Sequence, residues 1–357
     1  MPVGFPTKTT YANGDVFSAD DINSTNGTIN LLGQSVTTSA GKNGVINGAF
    51  DIWQRGTSIA INSSFAYTAD RWTLPVNANQ TATVSRQATG DTTNLPTIQY
   101  CARVQRNSGS TGTGGMGFVQ TFENANSTRY VGQAVTLSFY ARKGANYSPT
   151  GNALTIYGIS GTGTDQSRAN SAFTGEAYWV NNQTATLTST WQRFTFTGTV
   201  ASTATQIAIY FGLVPTGTAG TNDYFEITGV QLEIGSTATT FARTGSGIQG
   251  ELAACQRYYY RVTSPVQSGS NVNLTSYGSA ATTGFVGLTI SSPATMRTAP
   301  TAIDYSSGLI VSPDELNSSI SATALTMSGY STPNYISFLA TVSGATQYRP
   351  YKLYGNA

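Results

Sequence analysis

The chain of 357 residues contains no histidine. Imidazole general-base catalysis, Ser-His-Asp and Cys-His nucleophiles and histidine-ligated zinc are therefore excluded. Two cysteines are present, Cys101 and Cys255, far apart and in no CxxC pair, which removes cysteine metal clusters. Both are expected to be small buried thiols rather than a disulfide. Only 10% of the residues are charged, against roughly a quarter in an average soluble protein. The 18 basic and 16 acidic residues leave a net charge of +2 with the positive residues scattered. A nucleic-acid partner normally calls for a basic stripe, so none is expected. No run of about 18 apolar residues occurs, so membrane insertion is not expected either. The N-terminal MPVGFPTKTT lacks the apolar core of a signal peptide, which points to synthesis in a cytoplasm. P-loop, GxGxxG, HExxH and EF-hand patterns are missing as well.

What is there instead is Thr, Ser, Asn and Gln with 38 glycines, 20 tyrosines, 15 phenylalanines and 4 tryptophans. That mixture is too aromatic for disorder and too poor in strong helix formers for a helical protein. Residues 1–40 form a first unit of extended or turn structure followed by a short helix. There Ile22, Ile29 and Val36 recur every seven residues and Leu32 sits at a d-like spacing. This fits either a coiled-coil oligomerisation stalk or a short amphipathic helix, which Gly27 and Gly33 weaken. Residues 41–243 read as one all-β region. Val135–Ala141, Ile207–Leu213, Phe194–Val200 and Val230–Ile234 alternate apolar with polar or small residues. Clusters of Gly, Thr, Asn and Ser at 108–115, 161–165 and 216–222 mark loops. After a break at 243–250, a short helix is expected over 251–262, and β pattern returns at 285–290 and 335–342. The fold expected is mainly β: a jelly-roll β-sandwich over 41–243, a C-terminal β domain over 244–357 and a short N-terminal helical or extended segment.

Few residues in this chain carry reaction chemistry. The acids close in sequence are Asp20-Asp21, Asp223/Glu226 and Asp314-Glu315. Neighbours on a strand point to opposite faces, so these pairs do not make the facing carboxylates of a glycosidase. Helix capping, turns and surface solvation account for them. The aromatics say more. Trp53, Tyr67, Trp72, Tyr178, Trp179 and Trp191 lie in the β region, several beside polar loops. Aromatic faces with nearby amides and arginines suit sugar rings, and the candidate glycan-binding residues are Trp53, Tyr67, Trp72, Tyr178 and Trp179. Against this stands packing of the same rings in the sandwich core. Within 67–72, the Asp70-Arg71-Trp72 triplet is read as an arginine lying on Trp72 with an acid fixing its guanidinium. Residues 49–54 are read as a strand placing Phe50 and Ile52 on one face.

The segments VINGAFDIWQRG at 45–56, YTADRW at 67–72, DYFEITGVQLEIG at 223–235 and ELAACQRYY at 251–259 occur in that order. Together they resemble a family of bacteriophage tail and virion proteins. GDVFSADDIN at 14–23 is similar to the start of phage fibre proteins. The resemblance covers about residues 10–260. It implies a non-enzymatic virion structural protein, made in the host cytoplasm and located on the virion. The role implied is a tail fibre or receptor-binding adhesin that touches host-surface glycans. A homotrimer is implied, joined to other virion proteins through residues 1–40. A head fibre or capsid decoration protein is the alternative, and a glycan-degrading tailspike a second one. The β unit also resembles carbohydrate-binding modules in which a structural calcium joins the opening and closing strands. The matching positions are Asp51 and Glu226, with Asp223 near them. Calcium wants six to eight oxygens. The reading preferred is that Asp51 and Glu226 accept hydrogen bonds from Arg55, Arg71 or backbone amides, and that the protein holds no cofactor.

Overall fold

A computed structural model describes residues 41–62, 65–77, 80–262, 272–305, 309–313 and 320–355. The expected attachment segment 1–40, with Ile22, Ile29, Leu32 and Val36, lies outside the described residues, as do Asp20-Asp21 and Asp314-Glu315. The chain divides into two compact units. The described part of the first unit runs to Asp51 and resumes at Ile59–Ala66 and Trp72–Glu251, and the second comprises Ile52–Ser58, Tyr67–Arg71 and Leu252 onward. The boundary therefore differs from the expected one at 243/244, and two N-terminal segments belong to the C-terminal unit.

The first unit is a sandwich of two six-stranded sheets. Numbering strands in chain order, one sheet runs β1 (Ser58–Ile61), β4 (Ala82–Ala88), β5 (Tyr100–Arg106), β12 (Tyr224–Ile234), β7 (Ala134–Lys143), β10 (Gln192–Thr199). The other runs β2 (Phe65–Tyr67), β3 (Thr73–Pro75), β6 (Met116–Thr121), β11 (Gln206–Leu213), β8 (Ala153–Gly161), β9 (Ala177–Thr186). The chain changes sheet repeatedly, as a jelly roll does, and β4–β5, β5–β12, β12–β7, β7–β10, β6–β11, β11–β8 and β8–β9 pair antiparallel. The alternating segments picked out above form β7, β10, β11 and β12, because a period of two gives each strand one apolar face to bury. Val135, Leu137, Phe139 and Ala141 of β7 meet Ile207, Ile209, Phe211 and Leu213 of β11 as fully or almost fully buried core residues. Trp72 stacks on Phe118 with centroids 4.8 Å apart, and Phe50 lies 5.2 Å from Trp72. Phe211 then meets Phe139 edge-on at 4.9 Å.

The segment expected to be a strand at 49–54 is not one. Asn47 and Phe50 have φ of 60° and 55°, and Phe50 N donates to Asn47 O at 3.1 Å, closing a turn. Side chains distant in sequence satisfy this buried turn. Gln120 exchanges two hydrogen bonds with the Ile46 backbone, at 2.9 and 2.7 Å, and Glu251 accepts from Asn47 N. Trp72 Nε1 donates to Asn47 O at 3.2 Å. Local alternation carries no sign of such partners. Burial raises the pKa of Glu251 above the ordinary carboxylate value.

The second unit holds a seven-stranded antiparallel sheet in the order β16 (Ile320–Ser321), β15 (Ile310–Ser312), β19 (Pro350–Gly355), β13 (Val272–Thr282), β14 (Phe285–Ser291), β18 (Tyr335–Thr341), β17 (Ala324–Met327). Val286, Leu288, Phe338, Ala340 and Leu353 form its core. The helix α1 spans Ile248–Gln256 rather than 251–262. Just beyond it the amides of Tyr258 and Tyr259 both donate to Cys255 O, closing the last turn. Their rings then receive arginines: Arg55 lies 3.5 Å over Tyr259 and Arg71 lies 3.4 Å over Tyr258. Asp70, 1% exposed, accepts from Gln54 Nε2 at 2.6 Å and stands 3.8 Å from Arg55. The expected triplet clamp is corrected accordingly. Arg71, at φ 73°, stacks on Tyr258 rather than on Trp72, and Asp70 serves Arg55. Neither cysteine forms a disulfide, and both are buried. Burial pushes the Cys101 thiol far up.

With its ring fully buried against Phe50 and Phe118, Trp72 is a core residue, not a sugar contact. Trp72→Ala is expected to cost about 3–5 kcal/mol. Urea unfolding would measure it, and a loss under about 1 kcal/mol would contradict the placement.

Candidate functional site

A strand whose inner face is apolar presents every second residue outward, so the outer face of each sheet is the place to look for a site. In the second sheet the register pairs Tyr210 of β11 with Val119 of β6 and with Tyr157 of β8, and pairs Ile159 of β8 with Tyr178 of β9. These residues face away from the core, which takes Phe211, Ile209 and Phe118. Tyr157 therefore lies between two other tyrosines, 5.7 Å from Tyr210 in an edge-on pair and 5.8 Å from Tyr178 in a tilted one. Tyr178 is 44% exposed, and Tyr157 and Tyr210 are half-buried. Glycine makes room for this tyrosine platform. A Cβ on Gly117 would come within 2.0 Å of the Tyr210 ring, so Tyr210 crosses β6 only because no side chain stands there. At one end the 162–176 segment folds over the face and buries Phe173 against Ile159 and Ala208.

Polar groups rim the rings. Tyr178 Oη donates to Glu176 Oε1 at 2.6 Å, and Tyr157 Oη donates to Asn182 Oδ1 at 3.0 Å. Arg168 Nη2 donates to Glu176 Oε1 at 3.2 Å. Its Nε lies 2.7 Å from Oε2 as an ion pair without hydrogen-bond alignment. The Arg168 guanidinium also stands 5.9 Å from the Tyr210 ring. Burial opposes ionisation of Glu176, but the bonds from Tyr178 and Phe173 N and the charge of Arg168 outweigh it. Its carboxyl is held below the ordinary range. The hydrogen bond to Glu176, with some burial, raises the Tyr178 phenol above its ordinary value. Beside the platform, β9 and β10 border an open groove of about 410 Å³ lined by Tyr178, Asn181, Gln183, Thr195, Phe196 and Thr197 among others. Tyr178 belongs to both.

Of the five candidate glycan residues, the structure brings only Tyr178 to this face. Trp179, 6% exposed, packs into the space left by Gly158 and also lines the groove beside this face. A Cβ on Gly158 would stand 2.4 Å from its ring. Trp72 is core. Trp53, 8% exposed, and Tyr67, 44% exposed under Arg55, belong to the other unit. Tyr157 and Tyr210 are the residues that sequence reasoning missed. Their signal was present, since Tyr210 stands at an outward position of a strand already recognised.

The carboxylates matched to a calcium site have arginine partners, though not Arg55 or Arg71. Asp51 accepts from Arg243 Nε at 2.8 Å. Glu226, fully buried, accepts from Arg103 and Arg142. Asp223 pairs with the fully buried Arg106 at 2.7 Å and accepts from Ser148 N. Guanidinium groups against these oxygens repel a second cation, so the three carboxylates do not fit a calcium ion. Among the described residues no group of three acidic or cysteine side chains is placed to hold a metal.

No protein-family model matches the chain. No curated protein matches it. Among solved structures it resembles the enzymatically active domain of tailspike protein 4 of bacteriophage CBA120, at 14% identity and TM-score 0.32, over 54% of this chain and 21% of that one. The chain thus spans about a fifth of that tailspike chain's length. It also resembles a CBM4 structure, at 21% identity and TM-score 0.30, over 54% of this chain and 100% of that one. A third likeness is to carbohydrate-binding modules of the β-sandwich superfamily, at 16% identity and TM-score 0.33, over 48% and 61% of the two chains.

The Tyr178–Glu176 pair has a spectroscopic signature. Absorbance titration of tyrosinate, wild type minus Tyr178→Phe, should place the Tyr178 midpoint above the ordinary value of about 10. Glu176→Gln should bring it back down. An unshifted midpoint in the wild type would refute the contact. Because the Glu176 carboxyl is depressed, the contact should persist as pH falls through the ordinary carboxylate range and be lost only below it.

Proposed function

We propose that the chain is a non-enzymatic glycan-binding protein of a phage virion, and that the outer face of its second sheet is the sugar-binding surface. The observation that carries the glycan reading is the outward cluster of Tyr157, Tyr178 and Tyr210, whose rings meet edge-on and tilted, rimmed by Arg168, Glu176 and Asn182. Ring faces accept the apolar face of a pyranose, while carboxylate, guanidinium and amide groups at fixed positions hydrogen-bond hydroxyls. The Tyr210 hydroxyl makes no hydrogen bond among the described residues, leaving a donor for a ligand. The groove that begins at Tyr178 suits a chain of sugars rather than a single terminal one.

Binding rather than hydrolysis is supported by the state of Glu176. A glycosidase needs a general acid with a raised pKa, and Glu176 is held low by Arg168 and Tyr178. The virion placement rests on the motif resemblance at 45–56, 67–72, 223–235 and 251–259. Weak sites repeated on an oligomeric appendage would gain strength through multivalency.

Affinity for isolated host-surface polysaccharide tests the reading. Tyr178→Ala and Tyr157→Ala should each weaken binding by about 1–2 kcal/mol, roughly five- to thirtyfold. Gly117→Ala, which displaces Tyr210, should weaken it as well. Full affinity in all three variants, or release of new reducing ends from the polysaccharide, would overturn it.

A further inference from the structure

The outer face of the first sheet, on the opposite side of the sandwich, carries a different chemistry. The register places Arg103 of β5 and Arg142 of β7 directly opposite Glu226 of β12, one on each side. Three charged residues thus form one row across three adjacent strands, with neighbouring strands about 4.8 Å apart. Arg103 donates to Glu226 Oε1 from Nε at 2.9 Å and from Nη2 at 2.6 Å. Arg142 Nε donates to Oε2 at 2.5 Å. One carboxylate therefore serves two guanidinium groups, and the row keeps one net positive charge.

Each arginine is also held flat by an aromatic ring. Arg103 lies 4.0 Å over Tyr224, and Arg142 lies 4.6 Å over Trp191. Trp191 is itself fixed, its Nε1 donating to Thr89 O at 3.0 Å. Glu226 is fully buried beneath the pair, while the two arginine side chains remain 26% and 27% exposed. Arg103 Nη1 and both Nη atoms of Arg142 donate no hydrogen bond among the described residues. The face is not a covered core at this point. Its apolar cover, made by Leu95, Ile98 and Ala49, packs on Tyr140, Trp191 and Phe241. Besides Glu226, Asp91 acts on Arg142 from the 89–99 loop, and its own oxygens accept from Thr93 N, Asn94 N and Asn94 Nδ2. Arg193, further along the face, is taken up by Ser138 and Thr239.

Two pre-oriented guanidinium groups with unused donors are what a planar or tetrahedral oxyanion requires. We propose that Arg103 and Arg142 form an oxyanion-binding site for the acidic group of a glycan, a carboxylate or a sulfate ester. It is distinct from the tyrosine platform, where Arg168 is neutralised by Glu176. That the oxyanion belongs to a sugar rests on the glycan-binding reading above; the arginine site itself does not.

The test is an array of matched glycan pairs probed with the full-length protein at low and high salt. Each acidic sugar, uronate or sulfated, is printed beside its neutral counterpart. Acidic members are expected to bind at least tenfold more strongly than their partners, with the excess falling at high salt. Arg103→Gln and Arg142→Gln should abolish the excess, while Tyr178→Ala leaves it in place. Arg142→Lys keeps the charge and the Glu226 pair, so it should fold and still lose most of the preference if the planar fork matters. The carboxylate and sulfate arms tell the two sources apart. Binding without acidic preference, lost in Tyr178→Ala, would overturn the arginine site and leave the platform standing. An acidic preference that survives Arg103→Gln and Arg142→Gln in folded variants would also overturn it. Binding to no member of the array would overturn both.

Discussion

The buried ring stack of Trp72, Phe118 and Phe50, continued through Phe211 to Phe139, is the contact on which the first unit depends. It joins β6 and β11 of one sheet to β7 of the other and draws the 46–50 turn inside. A large aromatic buried there removes some 150–250 Å² from water and fits only one pairing of the two inner faces. Once that pairing is set, the two outer faces are set as well, because a shift of one residue would turn every side chain over. Both candidate surfaces are consequences of this core. Tyr157 and Tyr210 stand outward because Ile156, Ile209 and Phe211 stand inward. Glu226 stands outward because Phe225 and Ile227 do not.

Charge is scarce in this chain, and much of it is spent in pairs. Asp51 with Arg243, Asp70 with Arg55, Asp223 with Arg106, Glu176 with Arg168 and Glu226 with two arginines account for much of the ionic structure among the described residues. Arg106 and Asp223 are fully buried, and the guanidinium also donates to Ser148 Oγ and to three backbone carbonyls. Such a pair is a weak source of stability but a strong constraint, since losing either partner leaves a bare charge in the interior. The row at Glu226 departs from this one-to-one pattern, which is why it draws attention as a binding surface rather than as a strut.

Much of the fold was legible. Alternation at 135–141, 207–213, 285–290 and 335–342 identified strands because a half-buried strand leaves no other option to that pattern. The opening motif was not legible, because the groups that satisfy its turn, Gln120 and Glu251, lie some 74 and 204 residues away. The site was legible only in part. Three of the five candidate sugar contacts were tryptophans, yet Trp72 and Trp179 are large enough that packing claims them, and Gly158 makes the room for Trp179. Tyrosine serves the surface better, because its hydroxyl finds a polar partner at the rim, as Tyr178 does with Glu176 and Tyr157 with Asn182.

By itself, the sequence determined that the protein is built from strands, that imidazole chemistry plays no part, and that aromatic and amide side chains far outnumber charged ones. Those properties follow from composition and from a period of two, which are local. Tertiary structure decided which rings meet, which face they share, and which arginine answers which acid. Arg71 and Trp72 show the reason. They are covalent neighbours, yet one stacks on Tyr258 in one unit and the other on Phe118 in the other. These partners are chosen by long-range packing, and no short window along the chain contains Arg71 with Tyr258 or Trp72 with Phe118.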